Sequence, residues 1–120
     1  MIKFKSLNKS EKFLRILKKK KINNKYFNIY FDKNFDNSRK NKKVLNISFV
    51  MKKKIGNAVV RNKIKRRLKA AVQKFLKEKE SINLNRTYVI FGRNNVYKDK
   101  FQLVYYEISN AFKKINQMKV

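Results

Sequence analysis

The sequence predicts a small single-domain α/β (α+β) sandwich over residues 1–120, a mixed sheet with helices packed on it. Three observations carry that prediction. The chain has 120 residues, 42% hydrophobic and 13% aromatic, which suits one modest core. Dense β-branched and aromatic runs alternate with segments whose apolar residues recur every three or four positions. The strand–helix–strand order in the second half calls for a crossover connection. No internal repeat and no second domain is visible.

Asn8 and Glu11 have capping-box spacing and open a predicted helix over residues 9–20. Phe13, Ile16, Leu17 and Lys20 fall along one side of it, and Lys18 to Lys21 suit its negative C-terminal end. Residues 25–31 (KYFNIYF) are aromatic and β-branched, hence a strand, with the buried face left open by imperfect alternation. Residues 32–43 predict a polar loop, and residues 44–51 the next strand.

After Gly56 comes the longest predicted helix. Val60, Ile64, Leu68, Ala71, Val72 and Phe75 form one apolar stripe. Arg61, Lys65 and Lys69 make a neighbouring cationic line, with Asn62 and Arg66 on another beside it. The helix is expected to fray over residues 77–80. Residues 81–86 read as a connector, and residues 87–91 as a dense strand closed by Gly92 and Arg93. A loop over 94–98 leads to Asp99, the expected cap of a last helix carrying Phe101, Val104, Tyr105, Ile108, Phe112 and Ile115 on one face.

The formal charge of +27 is the strongest functional signal, because such self-repulsion implies a polyanionic partner. An anionic membrane is the weaker candidate: no apolar run approaches the roughly 18 residues of a spanning helix. Residues 1–6 (MIKFKS) lack an apolar signal-peptide segment, and there is no cysteine, so a cytoplasmic location is expected. Nucleic acid is the better partner. Histidine is absent, and the seven carboxylates, Glu11, Asp32, Asp36, Glu78, Glu80, Asp99 and Glu107, are scattered. Metal-dependent nucleases need clustered ligands, and acid–base catalysts need a tuned His, Asp or Glu. No catalytic residue, metal ligand or small-molecule substrate is therefore assigned to this chain.

Residues 52–69 concentrate nine cations around one glycine. Gly56 and Asn57 would sit at the N-terminus of the basic helix, where free N–H groups and the dipole favour a phosphate. The plainer reading is that Gly56 makes the turn and the charges are a solvated face. Cation density on a fixed scaffold favours phosphate binding by Lys52, Lys53, Lys54, Arg61, Lys63, Lys65, Arg66, Arg67 and Lys69. Lysine outnumbers arginine 27 to 7, yet Arg61, Arg66 and Arg67 all fall in this helix, where bidentate phosphate geometry would select them. Phe13, Tyr26, Phe27, Tyr30 and Phe31 are either core or a stacking platform for unpaired bases. Tyr88 and Phe91 read as core.

The run Lys53-Lys54-Ile55-Gly56-Asn57-Ala58-Val59, followed by Arg61-Asn62-Lys63-Ile64-Lys65-Arg66, resembles the protein component of bacterial ribonuclease P. That family's hallmark is KK-x-G-x-A-V-x-R-N-x-x-K-R. The resemblance extends more weakly to Leu7, Phe13, Phe27, Tyr30, Val89-Ile90-Phe91 and Arg93. It implies a fourth strand, an αβββαβα order and a left-handed βαβ crossover. It also implies a protein that assists a catalytic RNA in removing the 5′ leader of precursor tRNA, with the chemistry and its magnesium held mainly by the RNA. By the same resemblance, Phe13, Leu17 and Tyr30 line a leader-binding cleft, while Lys53, Lys54, Asn57, Arg61, Asn62, Lys63, Lys65, Arg66 and Lys69 face the catalytic RNA. The chain departs from the family at Lys63 and Lys69, where arginine is usual. Lys52 replaces a small residue, Lys20 a common glycine, and Leu17 a frequent aromatic. A structural ribosomal protein is the alternative. A helix-in-groove DNA binder is disfavoured, since no helix-turn-helix spacing precedes the basic helix.

Overall fold

A computed structural model describes residues 2–7, 10–33, 44–78 and 81–118, residues 10–12 in backbone only. Strand β1 (Lys3–Lys5) precedes helix α1 (Ser10–Ile16). Strands β2 (Lys20–Asn23), β3 (Phe27–Lys33) and β4 (Val44–Val50) follow. A single 3-10 turn (Lys53–Ile55) leads into α2 (Ala58–Lys77), and then come β5 (Arg86–Gly92), the short α3 (Asn95–Lys98) and α4 (Phe101–Asn116).

The strands form one five-stranded sheet in the order β1-β4-β5-β3-β2. β1 and β5 both lie parallel to β4, whereas β5–β3 and β3–β2 are antiparallel, so the sheet is mixed. The parallel β4–β5 pair is joined through α2, the crossover expected from the sequence. β2 supplies the fourth strand that the family resemblance implies, and β1 is a fifth.

Alternation along β3 decides the layering. Phe27, Ile29 and Phe31 are buried on one face; Asn28, Tyr30 and Asp32 are half-buried on the other. Register carries the first set across to Tyr88 and Ile90 on β5, and from there to Ile47 and Phe49 on β4. Onto this face pack Ile64, Leu68, Ala71, Val72 and Phe75 of α2 and Val104, Ile108, Ala111, Phe112 and Ile115 of α4. Phe112 ties the layer together, 5.8 Å from the Phe75 ring and 5.3 Å from the Tyr88 ring. Gly92 lets α2 approach the end of β5: an added Cβ would stand 2.7 Å from Ile64 Cγ2. Ile16 and Val89 are also fully buried but lie outside this main core, under α1 on the opposite face.

Four sequence expectations need correction. The first helix stops at Ile16, and Lys20–Asn23 is a strand, because pairing with Phe31 to Asn28 gives its backbone groups partners. Residues 94–98 are largely helical: Val96 is fully buried and anchors α3. Asp99 does not cap α4, whose N-cap is Lys100 without a side-chain bond. Its carboxylate instead accepts from the Tyr26 hydroxyl at 2.7 Å and pairs with Lys25 at 3.3 Å. Nor is the start of the expected polar loop a loop: Asp32 and Lys33 belong to β3. The remainder of that loop within 34–43, the Asn8–Glu11 cap and the fraying at residues 79–80 fall outside what is described.

The other end of α4 is closed by a buried cation. Arg86 donates to the carbonyls of Ile115 at 2.7 Å and Met118 at 2.5 Å, and its guanidinium lies 5.7 Å from the Phe31 ring centre. Positive charge at a helix C-terminus is the favourable arrangement for free carbonyls.

Candidate nucleic-acid interface

The basic helix begins with a braced turn. Gly56 has φ +158° and ψ −169°, a region essentially reserved for glycine, and a Cβ there would also meet Val60 Cβ at 3.2 Å. Asn57 is the N-cap, its Oδ1 accepting from the Val60 N–H at 3.1 Å. Arg61 folds back, donating from Nη1 to the Gly56 carbonyl at 2.6 Å and to that of Lys53 at 3.3 Å. The turn that carries exposed Lys53 and Lys54 is thus held by the helix it precedes.

Along its 20 residues α2 carries eight cations and no acid. With one face committed to the core, the charges fall into three lines. Arg61, Lys65 and Lys69 run on the β1 side, where the Lys69 ammonium lies 6.0 Å from the Phe4 ring centre. Val59, Asn62 and Arg66 run along the outermost ridge and, with Lys65, line a shallow concavity; Val59 is 70% exposed within it. Lys63, Arg67 and Lys74 run on the side of α3 and α4, with Lys63 4.9 Å from the Tyr97 ring centre and Lys74 4.7 Å from that of Tyr105. The two positions where the family usually has arginine, 63 and 69, are thus lysines set over aromatic rings. A point charge on a flexible stem suffices for that contact.

A second candidate surface lies across the sheet. Phe13 on α1 meets Phe91 edge-on at 6.1 Å, and Phe91 meets Tyr30 edge-on at 5.7 Å. Lys21 on β2 sits 5.7 Å from the Tyr30 ring centre, and Leu17 is half-buried in the turn just after α1. Phe13, Tyr30 and Phe91 are all half-buried, so rings remain open to solvent. Phe91 corrects the core reading of the sequence; it is the floor on which Phe13 and Tyr30 rest. Tyr26, Phe27 and Phe31 are core, the plainer of their two readings. The only signal for Phe91 was its parity: it is one residue from Ile90, so it faces the other way.

Among the described residues, no three His, Cys, Asp or Glu side chains come together as metal ligands. No helix there is long and apolar enough to cross a membrane. The surfaces instead offer fixed cations and half-open aromatic rings, the two elements that bind phosphates and unpaired bases.

A sequence model described as Ribonuclease P matches residues 1–116. The chain belongs to the ribonuclease P protein family. It is 34% identical over 105 residues to the ribonuclease P protein component of Carboxydothermus hydrogenoformans, covering 87% of this chain and 84% of that one. It is 30% identical over 109 residues to that of Bacillus pumilus, covering 90% and 85%. The fold is similar to the RNase P protein of Thermotoga maritima, with a TM-score of 0.67 and 27% identity over 92% of this chain and 96% of that one. Membership makes the chain a protein subunit in tRNA processing, working with an RNA partner in an endonuclease holoenzyme, and displaces the ribosomal alternative.

Proposed function

We propose that the exposed face of α2 docks on the catalytic RNA of ribonuclease P, while the cleft beneath α1 holds the 5′ leader of precursor tRNA. One observation carries the reading most: α2 presents eight cations and no acid on a helix whose opposite face is locked into the core. Such a face neutralises phosphates at fixed spacing without ordering new chain. The docking residues are Lys53, Lys54, Asn57, Arg61, Asn62, Lys63, Lys65, Arg66 and Lys69. Within that set, Arg61 and Asn57 hold the turn, while Asn62, Lys65 and Arg66 face outward.

The cleft residues Phe13, Leu17 and Tyr30, with Phe91 beneath, suit a single strand whose bases stack on open rings while lysines such as Lys21 track the backbone. The chain's seven carboxylates are scattered in sequence, so in this reading the RNA holds most of the magnesium. The protein's part is positional and electrostatic: it lowers phosphate repulsion where RNA and substrate meet. If six phosphates were neutralised on duplex-like RNA, log K should fall against log salt with a slope of roughly −5.

Mixing the protein with its cognate RNA and precursor tRNA at low magnesium tests the reading. Cleavage at the 5′ junction should accelerate; no gain from the protein would refute it.

A further inference from the structure

Helix α3 carries a feature that neither the basic stripe nor the cleft includes. Its Val96 is fully buried and anchors the four-residue helix, whereas the next residue, Tyr97, is 36% exposed. The backbone presenting Tyr97 is held at several points: its N–H donates to Asn94 O at 2.9 Å, Val96 N–H to Arg93 O at 3.1 Å, and the Asn95 side chain to Lys25 O at 3.2 Å. Two cations of α2 converge on it. Lys63 places its ammonium 4.9 Å from the ring centre, and Arg67 donates from Nη1 to the Tyr97 carbonyl at 3.3 Å. The result is an aromatic ring on a rigid turn, flanked by two cations one helical turn apart.

We propose that Tyr97 is a stacking site for an unpaired base of the RNA that docks on α2, with Lys63 and Arg67 taking the phosphates on either side. An exposed phenol adds little to the anchoring of α3, which Val96 already provides. A ring beside cations is the arrangement that holds a base and its backbone together. The Lys63 contact is at an exposed site, so the ammonium can leave the ring for a phosphate without breaking a buried bond. Charge complementarity selects RNA over an apolar partner: the chain carries +27, and α2 has no acid. The inference rests on the docking role of α2 and extends that surface around the helix toward α3.

The chain has no tryptophan, so Tyr97→Trp installs a single indole reporter. Wild-type affinity for the catalytic RNA is measured first, because failure to bind there refutes the docking reading itself. Given binding, the indole emission of the Tyr97→Trp variant should be quenched on adding the RNA. Tyr97→Ala should weaken binding by roughly 5- to 100-fold with an unchanged salt slope, since stacking releases no counterions. Tyr97→Phe, which keeps the ring, should stay within about twofold. Unquenched emission, or Tyr97→Ala binding as wild type with an unchanged melting profile, would overturn the Tyr97 site and leave α2 docking intact. If Tyr97→Ala does not fold, the quenching result decides.

Discussion

The two faces of the sheet carry different kinds of surface. On one, α2 and α4 cover the main core, and the exposed groups are cations on the far side of a helix that is itself a core element. On the other, among the described residues, short α1 covers only part of the sheet and leaves rings that pack against each other edge-on while staying half-open. The first surface is stiff because its support is buried and continuous. The second is assembled from α1, β3 and β5, whose contributing residues lie far apart in sequence. Charge on a rigid frame suits a large folded polyanion; loosely covered rings suit a flexible strand.

The largest contrast should appear in stability. Phe75 is 1% exposed and packs on Phe112, so Phe75→Ala should cost about 3–5 kcal/mol in denaturant unfolding. Phe13→Ala, removing a half-buried ring, should cost about 1 kcal/mol. Equal losses would mean that the cleft is core after all.

A second contrast lies within the cationic surface, between Arg66, which faces outward, and Arg61, which braces the turn. Arg66→Ala should weaken RNA binding several-fold and flatten the salt slope by roughly 0.7–0.9, the loss of one phosphate contact. Arg61→Lys should lower affinity with the slope retained, because charge survives while a flexible ammonium holds the two carbonyls less rigidly than the planar guanidinium. Binding isotherms at several salt concentrations separate the two cases.

A smaller effect separates two buried phenols, Tyr26 and Tyr88, through pH. The Tyr26 hydroxyl is pushed up to about 12, chiefly by its hydrogen bond to Asp99 and then by burial. Tyr88 is pushed up to about 12 by burial, against the opposing pull of Arg86. Both phenols hold their protons in the fold beyond their unfolded value of 10.0. The stability they contribute is therefore full below pH 10 and lost as pH rises toward 12. Asp99→Asn should bring the Tyr26 titration down and leave Tyr88 near 12 in phenolate absorbance. At the acid end, the Tyr26 hydrogen bond and then Lys25 hold the Asp99 carboxyl below 3.8. Its contribution is present above that pH and fades as pH falls further.

These contrasts also mark what was legible in the sequence. The α2 surface was readable because a helix repeats every 3.6 residues: the stripe Ile64, Leu68, Phe75 and the flanking cations obey one local period. The cleft was only partly readable. Phe13, Leu17 and Tyr30 came through the family resemblance, but Phe91 sits in a strand whose residues are nearly all buried, so composition hides which side each one faces. β2, with the sequence KKIN, resembles the cationic end of a helix, and only pairing with β3 makes it a strand. α3 is too short to show a period, and Asp99 was claimed by Tyr26, 73 residues away, which local capping rules do not anticipate.

The division of labour between the faces is tested most directly by the affinity of the holoenzyme for precursor tRNA and for mature tRNA, which lacks the leader, comparing Tyr30→Ala with Arg66→Ala. Tyr30→Ala should weaken binding of precursor tRNA and leave mature tRNA unchanged. Arg66→Ala should instead weaken holoenzyme assembly and so lower apparent binding of both alike. Equal losses on the two tRNAs with Tyr30→Ala would contradict a leader-binding cleft.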